Sequence, residues 1–323
     1  MREWVPQQRF CITGGAGALG RSLITKLIEY GAKHIVVLDQ HDNSFLCEEF
    51  QNTPVHFIYG SILQTAHLRK AVKHCTALFH LASLIHVGRS ISEPINYIDV
   101  NCVGTLKVLE VCKEQGVPLV IYTSTSHVYG RPCIVPVNEQ HATMPLSIYA
   151  ASKLAGEALM HAYASSFGFS TVIARLANLY SSSPESDTVL GSALEQVATG
   201  RAIQLRNLSA VRDFLYIDDA VEALIRLAVV AKDRHASLTV NVSTGRGTSI
   251  KEMCQILADA AVQQGLKRPT IMQKCDHQEE QVSTLVLDNS LLRSLTGWTP
   301  ETTMEDGLAV VLRKRLRGSM VFS

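Results

Sequence analysis

Charge of one sign is the first thing missing from this 323-residue chain: 30 Lys and Arg stand against 29 Asp and Glu. Without a basic excess there is no global electrostatic case for nucleic acid or a membrane surface as a partner. Long apolar runs are missing too, and none would span a bilayer. The opening MREWVPQQRF lacks the apolar centre of a secretory signal. A cytoplasmic protein is therefore expected, and the sequon Asn207-Leu208-Ser209 carries no weight without secretion. The eight cysteines include no CxxC pair, so reduced, buried thiols are expected rather than disulfides. The histidines show neither H-x-x-x-H nor any other metal-ligand spacing, which argues against a metal centre. No internal repeat or low-complexity segment stands out. What is present is apolar: 46% of residues, with only 18% charged, enough for one large or two modest cores.

The apolar residues fall into alternating strand-like and helix-like segments. RFCITGG is a short apolar run ended by glycines, the pattern of a buried parallel strand. In ALGRSLITKLIEYG, Leu19, Leu23, Leu27 and Ile28 share one helical face and Gly31 ends it. HIVVLD, VHFIYG, ALFHLAS, LVIYTSTS and STVIARLANLY read as further strands. Between them lie helix-like QTAHLRKAVKHC, NCVGTLKVLEVCKEQG and YAASKLAGEALMHAYASSFG. Strands alternating with helices predict an α/β fold with a doubly wound parallel sheet. The order holds to about residue 180, where SSSPESDT breaks it. Residues 1–180 are expected to form the sheet domain, and 181–323 a smaller substrate-side region partly interleaved with it.

Gly14, Gly17 and Gly20 space a G-x-x-G-x-x-G between the first strand and the first helix, with Ala18 and Leu19 opening the helix. Glycine is needed where the backbone turns sharply, approaches a pyrophosphate and lets a helix pack on a strand. A helix N-terminus also offers phosphates its free N–H groups. Asp39 ends the second strand, nineteen residues after Gly20. A carboxylate there accepts from adenosine ribose hydroxyls and repels a 2′-phosphate, favouring NAD over NADP. Tyr149 and Lys153 stand at i and i+4, on one helix face. An ammonium beside a phenol stabilises the phenolate and brings its pKa towards working pH. A hydroxyl-rich strand end, TSTS, lies about twenty-five residues upstream.

Together these motifs resemble the extended short-chain dehydrogenases/reductases, most of all their nucleotide-sugar epimerase/dehydratase group, with the UDP-glucose 4-epimerases as nearest branch. The similarity runs from ITGGAGALG to LTGWTP and implies a Rossmann-type sheet. It implies that Gly14, Gly17, Ala18, Leu19 and Gly20 hold the NAD diphosphate, and that Asp39, Asn43 and Ser44 hold the adenosine end. It places Ser61 and Ile62 at adenine and Leu81, Ala82 and Ser83 of FHLAS beside the nicotinamide half. Asn101 falls at the family's asparagine of N-x-x-G-T. Thr125, four residues before the tyrosine of VYG, matches the catalytic Ser or Thr, and Tyr149 and Lys153 match the catalytic pair. Ser126, His127, Asn178, Val189 and Arg212 fall on the substrate side, with Asn178 and Arg212 at positions that hold the substrate diphosphate. Relatives of this kind pair helices across a two-fold axis, which implies a homodimer built on NCVGTLKVLEVC and the helix of Tyr149.

The departures from the family pattern are informative. Ser61 stands where relatives carry an aspartate, and Ile85 where many carry a lysine. YSSSP replaces YGP, and Ser243 replaces a glycine in NVSTGRGTSI. The late arginine before G-D is absent from QKCDHQEEQ, with Lys274 nearby. Related dehydratases carry Asp-Glu after the catalytic threonine and related sugar-acid decarboxylases Ser-Glu; here Ser126 and His127 follow Thr125. With that glutamate gone, the resemblance implies oxidation and reduction at a single carbinol, as in an NAD-dependent nucleotide-sugar epimerase. The same residues would serve an NAD(P)H-dependent ketoreductase of a keto-deoxysugar nucleotide or another biosynthetic keto substrate. A non-catalytic NAD(H)-sensing protein is the reading from a different class. Plainer roles also stand: Arg212 as partner of Asp218 or Asp219, Asn178 as a loop cap, His80 as a core histidine, Met144 and Met160 as packing residues, and His127 as a spacer donating to a backbone carbonyl.

Overall fold

The computed structural model describes residues 1–41, 44–182, 188–274 and 284–320. Its longer strands are β1 (Phe10–Thr13), β2 (Ile35–Asp39), β3 (Val55–Tyr59), β4 (Ala77–His80), β5 (Leu119–Thr125) and β6 (Ser170–Leu176). Then come β7 (Asn178–Tyr180), β8 (Ile203–Leu205), β9 (Val211–Arg212), β10 (Phe214–Tyr216), β11 (Ser237–Val242), β12 (Thr248–Ser249), β13 (Ile271–Gln273) and β14 (Thr284–Leu285). The helices are α1 (Ala18–Glu29), α2 (Ser44–Glu49), α3 (Thr65–Ala71), α4 (Val87–Ser92), α5 (Pro94–Ile98) and α6 (Gly104–Gln115). They continue with α7 (Ile148–Phe167), α8 (Val189–Ala198), α9 (Ile217–Ala231), α10 (Ile250–Gln263), α11 (Ser290–Thr296) and α12 (Met304–Met320).

Seven strands form one sheet in the order β11-β6-β5-β4-β1-β2-β3, with every neighbouring pair parallel. Parallel strands need cover on both faces, and β1, β5 and β6 are buried along their whole length. Alternate residues point to opposite faces. Phe10 and Ile12 pack with Leu23 and Leu27 of α1 and Leu224 of α9. Cys11, between them, joins Leu68 of α3, Val108 of α6 and Met160 of α7 on the other side. The seventh strand, β11, is the one the apolar runs did not announce, because Ser237, Thr239 and Asn241 dilute its signal. It lies beyond residue 180 yet pairs with β6 from Ser237↔Thr171 to Val242↔Leu176.

Strand β1 has β2 on one side and β4 on the other, so the chain reverses direction of travel between β1 and β4. At such a point the connections part and leave a crevice beyond the carboxyl ends of the strands. Thr13, Asp39, His80 and Thr125 end β1, β2, β4 and β5 and so ring it. Beyond the sheet, β10-β7, β12-β9-β14 and β13-β8 form three small sheets. Sheets β10-β7 and β13-β8 pack with α8, α10 and α12 around a separate apolar cluster that includes Leu194, Ile203, Leu257 and Leu308.

The seven described cysteines are free thiols. Cys11, Cys75, Cys112 and Cys254 are buried as expected, whereas Cys47 and Cys133 are exposed. Met160 packs in the core, but Met144 is 71% exposed; its backbone N–H, bonded to the Val128 carbonyl, is what holds it. Among the described residues no helix is long and apolar enough to cross a membrane, and no group of His, Cys, Asp or Glu is placed to hold a metal ion.

Candidate active site

The glycine loop is shaped by close approaches. Gly14 has φ +75, and a Cβ there would lie 2.6 Å from the Ala82 nitrogen; at Gly20 it would lie 2.5 Å from Gly15 Cα. A side chain at either position would push the loop off β4 or the helix off the loop. Gly17 is different: as N-cap of α1 it makes no side-chain cap, and its nearest neighbour would be the Gly14 carbonyl at 3.5 Å. The helix N-terminus, with Ala18 and Leu19 in its first turn, therefore has room for an anion in front of it. Asp39 is buried at the end of β2, its Oδ2 accepting from Ala16 N at 2.9 Å and its Oδ1 from His41 N at 3.0 Å. The carboxylate is thus tied to the loop that leads to the helix. Asn43 lies outside the described residues, as does the side chain of Ser44.

Ser61 and Ile62 follow β3. The Ser61 hydroxyl accepts from Leu63 N at 3.2 Å, and the Ile62 side chain is core, close enough to Gly104 to leave no room for a Cβ there. Leu81, Ala82 and Ser83 follow β4 and are partly buried. Leu81 N and Ala82 N both bond to Thr13, through its carbonyl at 3.0 Å and its hydroxyl at 3.4 Å. Asn101 sits in a widened π turn, Asp99–Val103, that joins α5 to α6. It is 1% exposed, and its amide exchanges two hydrogen bonds with the Leu84 backbone (2.8 and 2.9 Å) and donates to Ser152 Oγ at 2.9 Å. Asn101 therefore ties the segment after β4 to α7 from behind. His80 is a satisfied core histidine: Nδ1 lies 2.7 Å from the Thr13 hydroxyl and Nε2 3.0 Å from that of Thr105. Burial, helped by the nearby Lys153, draws its pKa down to about 3.

Thr125 ends β5, and its hydroxyl caps the 3₁₀ turn Ser126–Tyr129 by accepting from His127 N at 3.3 Å. Ser147 caps α7 by accepting from Ala150 N at 3.1 Å, which starts the helix so that Tyr149 and Lys153 fall on its buried face. The Lys153 ammonium lies 4.2 Å from the centre of the Tyr122 ring. Burial pulls Lys153 down to about 7, and Glu157 one turn further along α7 opposes that shift. The same helix runs so near β5 that a Cβ on Gly156 would collide with the Tyr122 hydroxyl.

The His127 ring stands edge-on to that of Tyr149, with centroids 6.2 Å apart. Loss of hydration draws the imidazole down to about 4, and the Arg212 guanidinium pushes it the same way. His127 is thus neutral near pH 7, beside the phenol and within the field of Arg212. Arg212, on β9, donates to the Val211 carbonyl at 2.9 Å. Asp218 accepts from Ser22, and Asp219 from the backbone N–H groups of Glu301 and Thr302 at 3.1 and 3.0 Å. Asp213, directly after Arg212, accepts from Thr244 N, Thr244 Oγ1 and Gly245 N at 3.0, 2.7 and 3.0 Å. Asn178 starts β7 and donates its backbone N–H to Asp213. Val189 opens α8, capped by Thr188, and is 47% exposed. Buried Ser126 and partly buried His127 complete this side.

Sequence reading passed over three residues that the structure brings to the site: Ser124, Glu157 and Arg175. Glu157 extends the spacing of Tyr149 and Lys153 by one more helical turn, and that repeat was its signal.

A sheet that reverses between β1 and β4, a glycine loop closed by a strand-end carboxylate, and a Tyr-Lys pair on a helix packed against the turn that a strand-end threonine caps define a dinucleotide-dependent enzyme of the extended short-chain dehydrogenase/reductase type. Residues 10–243 match the model of the NAD dependent epimerase/dehydratase family, and the chain belongs to that family. The UDP-glucose 4-epimerase of Rhizobium meliloti is 26% identical over 315 residues, covering 90% of this chain and 92% of that protein. A probable UDP-glucuronate 4-epimerase of the same organism is 30% identical over 331 residues, covering 93% and 95%. The crystal structure of a Thermotoga maritima UDP-glucose 4-epimerase with UDP-glucose matches with a TM-score of 0.84 at 26% identity, covering 97% of this chain and 99% of that one. The cofactor is NAD: the open helix N-terminus at Gly17 and the carboxylate at Asp39 fit its diphosphate and its unphosphorylated ribose.

Proposed function

We propose that the protein is an NAD-dependent epimerase of a nucleotide sugar, with UDP-hexoses first among its substrates. The observation that carries this reading is the Tyr149–Lys153 pair on the buried face of α7, with the neutral His127 imidazole edge-on to the phenol where related dehydratases and decarboxylases carry a glutamate. Gly14, Gly17, Ala18, Leu19 and Gly20 would hold the NAD diphosphate, Asp39 the adenosine ribose, and Ser61 and Ile62 the adenine side. Leu81, Ala82 and Ser83 would flank the nicotinamide end, with Asn101 as their prop. Held by these residues, NAD would supply a reversible hydride acceptor for the sugar carbon.

Everything else falls to side chains. Tyr149, held as phenolate by Lys153, takes the proton of the sugar hydroxyl while Thr125 keeps that hydroxyl in line; the same phenol later gives the proton back. Asn178 and Arg212 grip the substrate diphosphate, so the sugar turns on that anchor and presents its other face. Ser126, His127 and Val189 line the space in which it turns. The protein's share is positioning and proton transfer.

The test is incubation of the purified protein with UDP-glucose, UDP-glucuronate, dTDP-glucose and GDP-mannose, without added cofactor, followed by NMR and mass spectrometry. Inversion at one carbinol is expected. Products lighter by water or carbon dioxide would sink the reading, and no turnover here together with NADH consumption in a parallel reaction on a keto-deoxysugar nucleotide would mark a ketoreductase instead.

A homodimer belongs to the same reading. Ile91, Ile95, Ile98 and Leu106 lie exposed along α4, α5 and α6, and α7 exposes Ala151, Ala158, Ala162 and Phe167. Two such faces meeting across a two-fold axis would bury this surface in an isologous contact. A monomer by light scattering at micromolar concentration would contradict it. The reading places the enzyme in the cytoplasm, with its nucleotide-sugar substrate.

A further inference from the structure

The face of α7 that carries Tyr149 and Lys153 continues to Glu157, at i, i+4 and i+8. Glu157 is 1% exposed. Its carboxylate accepts three hydrogen bonds from Arg175 of β6: Nη2 to Oε2 at 2.7 Å, Nε to Oε1 at 3.1 Å and Nε to Oε2 at 3.2 Å. It also accepts one from the Ser124 hydroxyl. Arg175 stands opposite Ser124 in the β5–β6 register. Its Nη1 donates to the Tyr129 hydroxyl at 3.0 Å, and Tyr129 donates to Asn241 at 2.7 Å. One buried ion pair thus joins the helix of Tyr149, the strand end of Thr125 and the turn that carries His127. Buried pairs of this kind are expensive to desolvate, and well-packed apolar side chains often replace them without loss of stability. Stability alone therefore does not account for a charged pair at this point.

We propose that Glu157 is a positioning residue: its carboxylate is the counter-charge of the Lys153 ammonium, and through Ser124 it fixes the strand end bearing Thr125 to the helix bearing Tyr149. Around Lys153 lie the Tyr122 ring from β5, His80 from β4 and Tyr149 on its own helix. Burial has already made His80 neutral and holds the Tyr122 phenol protonated. Around Glu157 lie Ser124 and Tyr122 from β5, Arg175 from β6, and His161 on the next turn of α7. Burial draws the ammonium down to about 7, and Glu157 is what opposes it. Without that carboxylate Lys153 loses its proton at lower pH, and the phenolate beside it loses its cation.

The proposal rests on the acid–base roles given to Tyr149 and Lys153 above, but its test needs no substrate. Glu157→Gln keeps the size of the side chain and one acceptor. In the NAD-loaded protein, the Tyr149 phenol is titrated by ultraviolet absorbance as the difference from Tyr149→Phe. Its apparent pKa is expected to rise by about one pH unit, a roughly tenfold loss of phenolate at fixed pH. Because Glu157→Gln leaves the Arg175 charge buried alone, the neutral double variant Glu157→Gln/Arg175→Gln is titrated as well, and the same rise is expected there. Circular dichroism identifies which variant is folded. A phenol titration that does not move in a folded variant overturns the proposal. A moved titration with no epimerisation across the sugar panel would sink the proposed reaction and leave this device standing; an unmoved one with epimerisation intact sinks the device alone.

Discussion

On the proposed cofactor side of the crevice, the candidate residues sit at the ends of parallel strands, from β1 with four residues to β5 and β6 with seven. On the substrate side, Asn178 and Arg212 sit on strands of three and two residues. The first group is placed collectively: shifting Thr125 means shifting a ladder paired from Leu119↔Ser170 to Thr125↔Leu176. The second is placed by separate side chains that hold backbone, such as Asp213 on the Thr244–Gly245 loop and Asn289 on the Ser243 carbonyl at 2.9 Å. Under the proposed function, chemistry is built into the part that resists deformation, and substrate choice into the part that single substitutions can reshape.

If that contrast is right, changes on α7 alter chemistry or charge while the fold stands. The largest effect is expected from Lys153→Met. The folded-state pKa of Lys153 is drawn below its unfolded value, from 10.5 to about 7. The unfolded chain therefore binds the extra proton between those values, and the penalty of a buried ammonium is full below pH 7 and gone above pH 10.5. Lys153→Met should be inactive yet more stable than the parent, by up to about 4 kcal/mol below pH 7. The gap should close as pH rises towards 10; denaturant melts at a series of pH values check it, and a gap independent of pH would refute the assignment. Tyr149→Phe comes next, with a loss of ~10²-fold or more in kcat, KM nearly unchanged and NAD still bound.

Across the crevice the signature should invert. Arg212→Ala is expected to raise KM by roughly tenfold with little change in kcat, since a grip on the diphosphate is shared by ground and transition states. Equal losses in kcat and kcat/KM would merge the two halves that the geometry separates. The smallest effect is expected from Asp39→Asn, which removes the charge facing a 2′-phosphate while keeping an acceptor. It should narrow the preference for NAD over NADP by about tenfold, measured by titration of the cofactor-free protein. Parent protein that binds both equally would remove Asp39 from the ribose.

The same contrast governs what could be read from the sequence. Strands β1, β2, β4, β5 and β6 announce themselves because a strand covered on both faces must be a continuous apolar run. The glycine loop and the Tyr-Lys pair are legible because their spacing is local. Strand β11 was hidden by its polar residues, and its place beside β6 depends on a pairing more than sixty residues away. The Asn101 amide ties Leu84 to Ser152, a link that no spacing reveals. Glu157 and Arg175 were missed for a related reason. A carboxylate on a helix and an arginine in a strand look like ordinary surface charges until the fold buries both.

Gly156 lies between Lys153 and Glu157, and its missing methyl group is what lets α7 press against Tyr122. In engineering terms the position works as a shim of zero thickness. A library that varies the small sheets beyond residue 180 can roam widely, but one that touches 156 resets the clearance between the helix of Tyr149 and Lys153 and the strand that ends at Thr125. Gly156→Ala, a change that ordinarily favours a helix, would here act as a misaligned bearing: a stiffer part that no longer meets its mate.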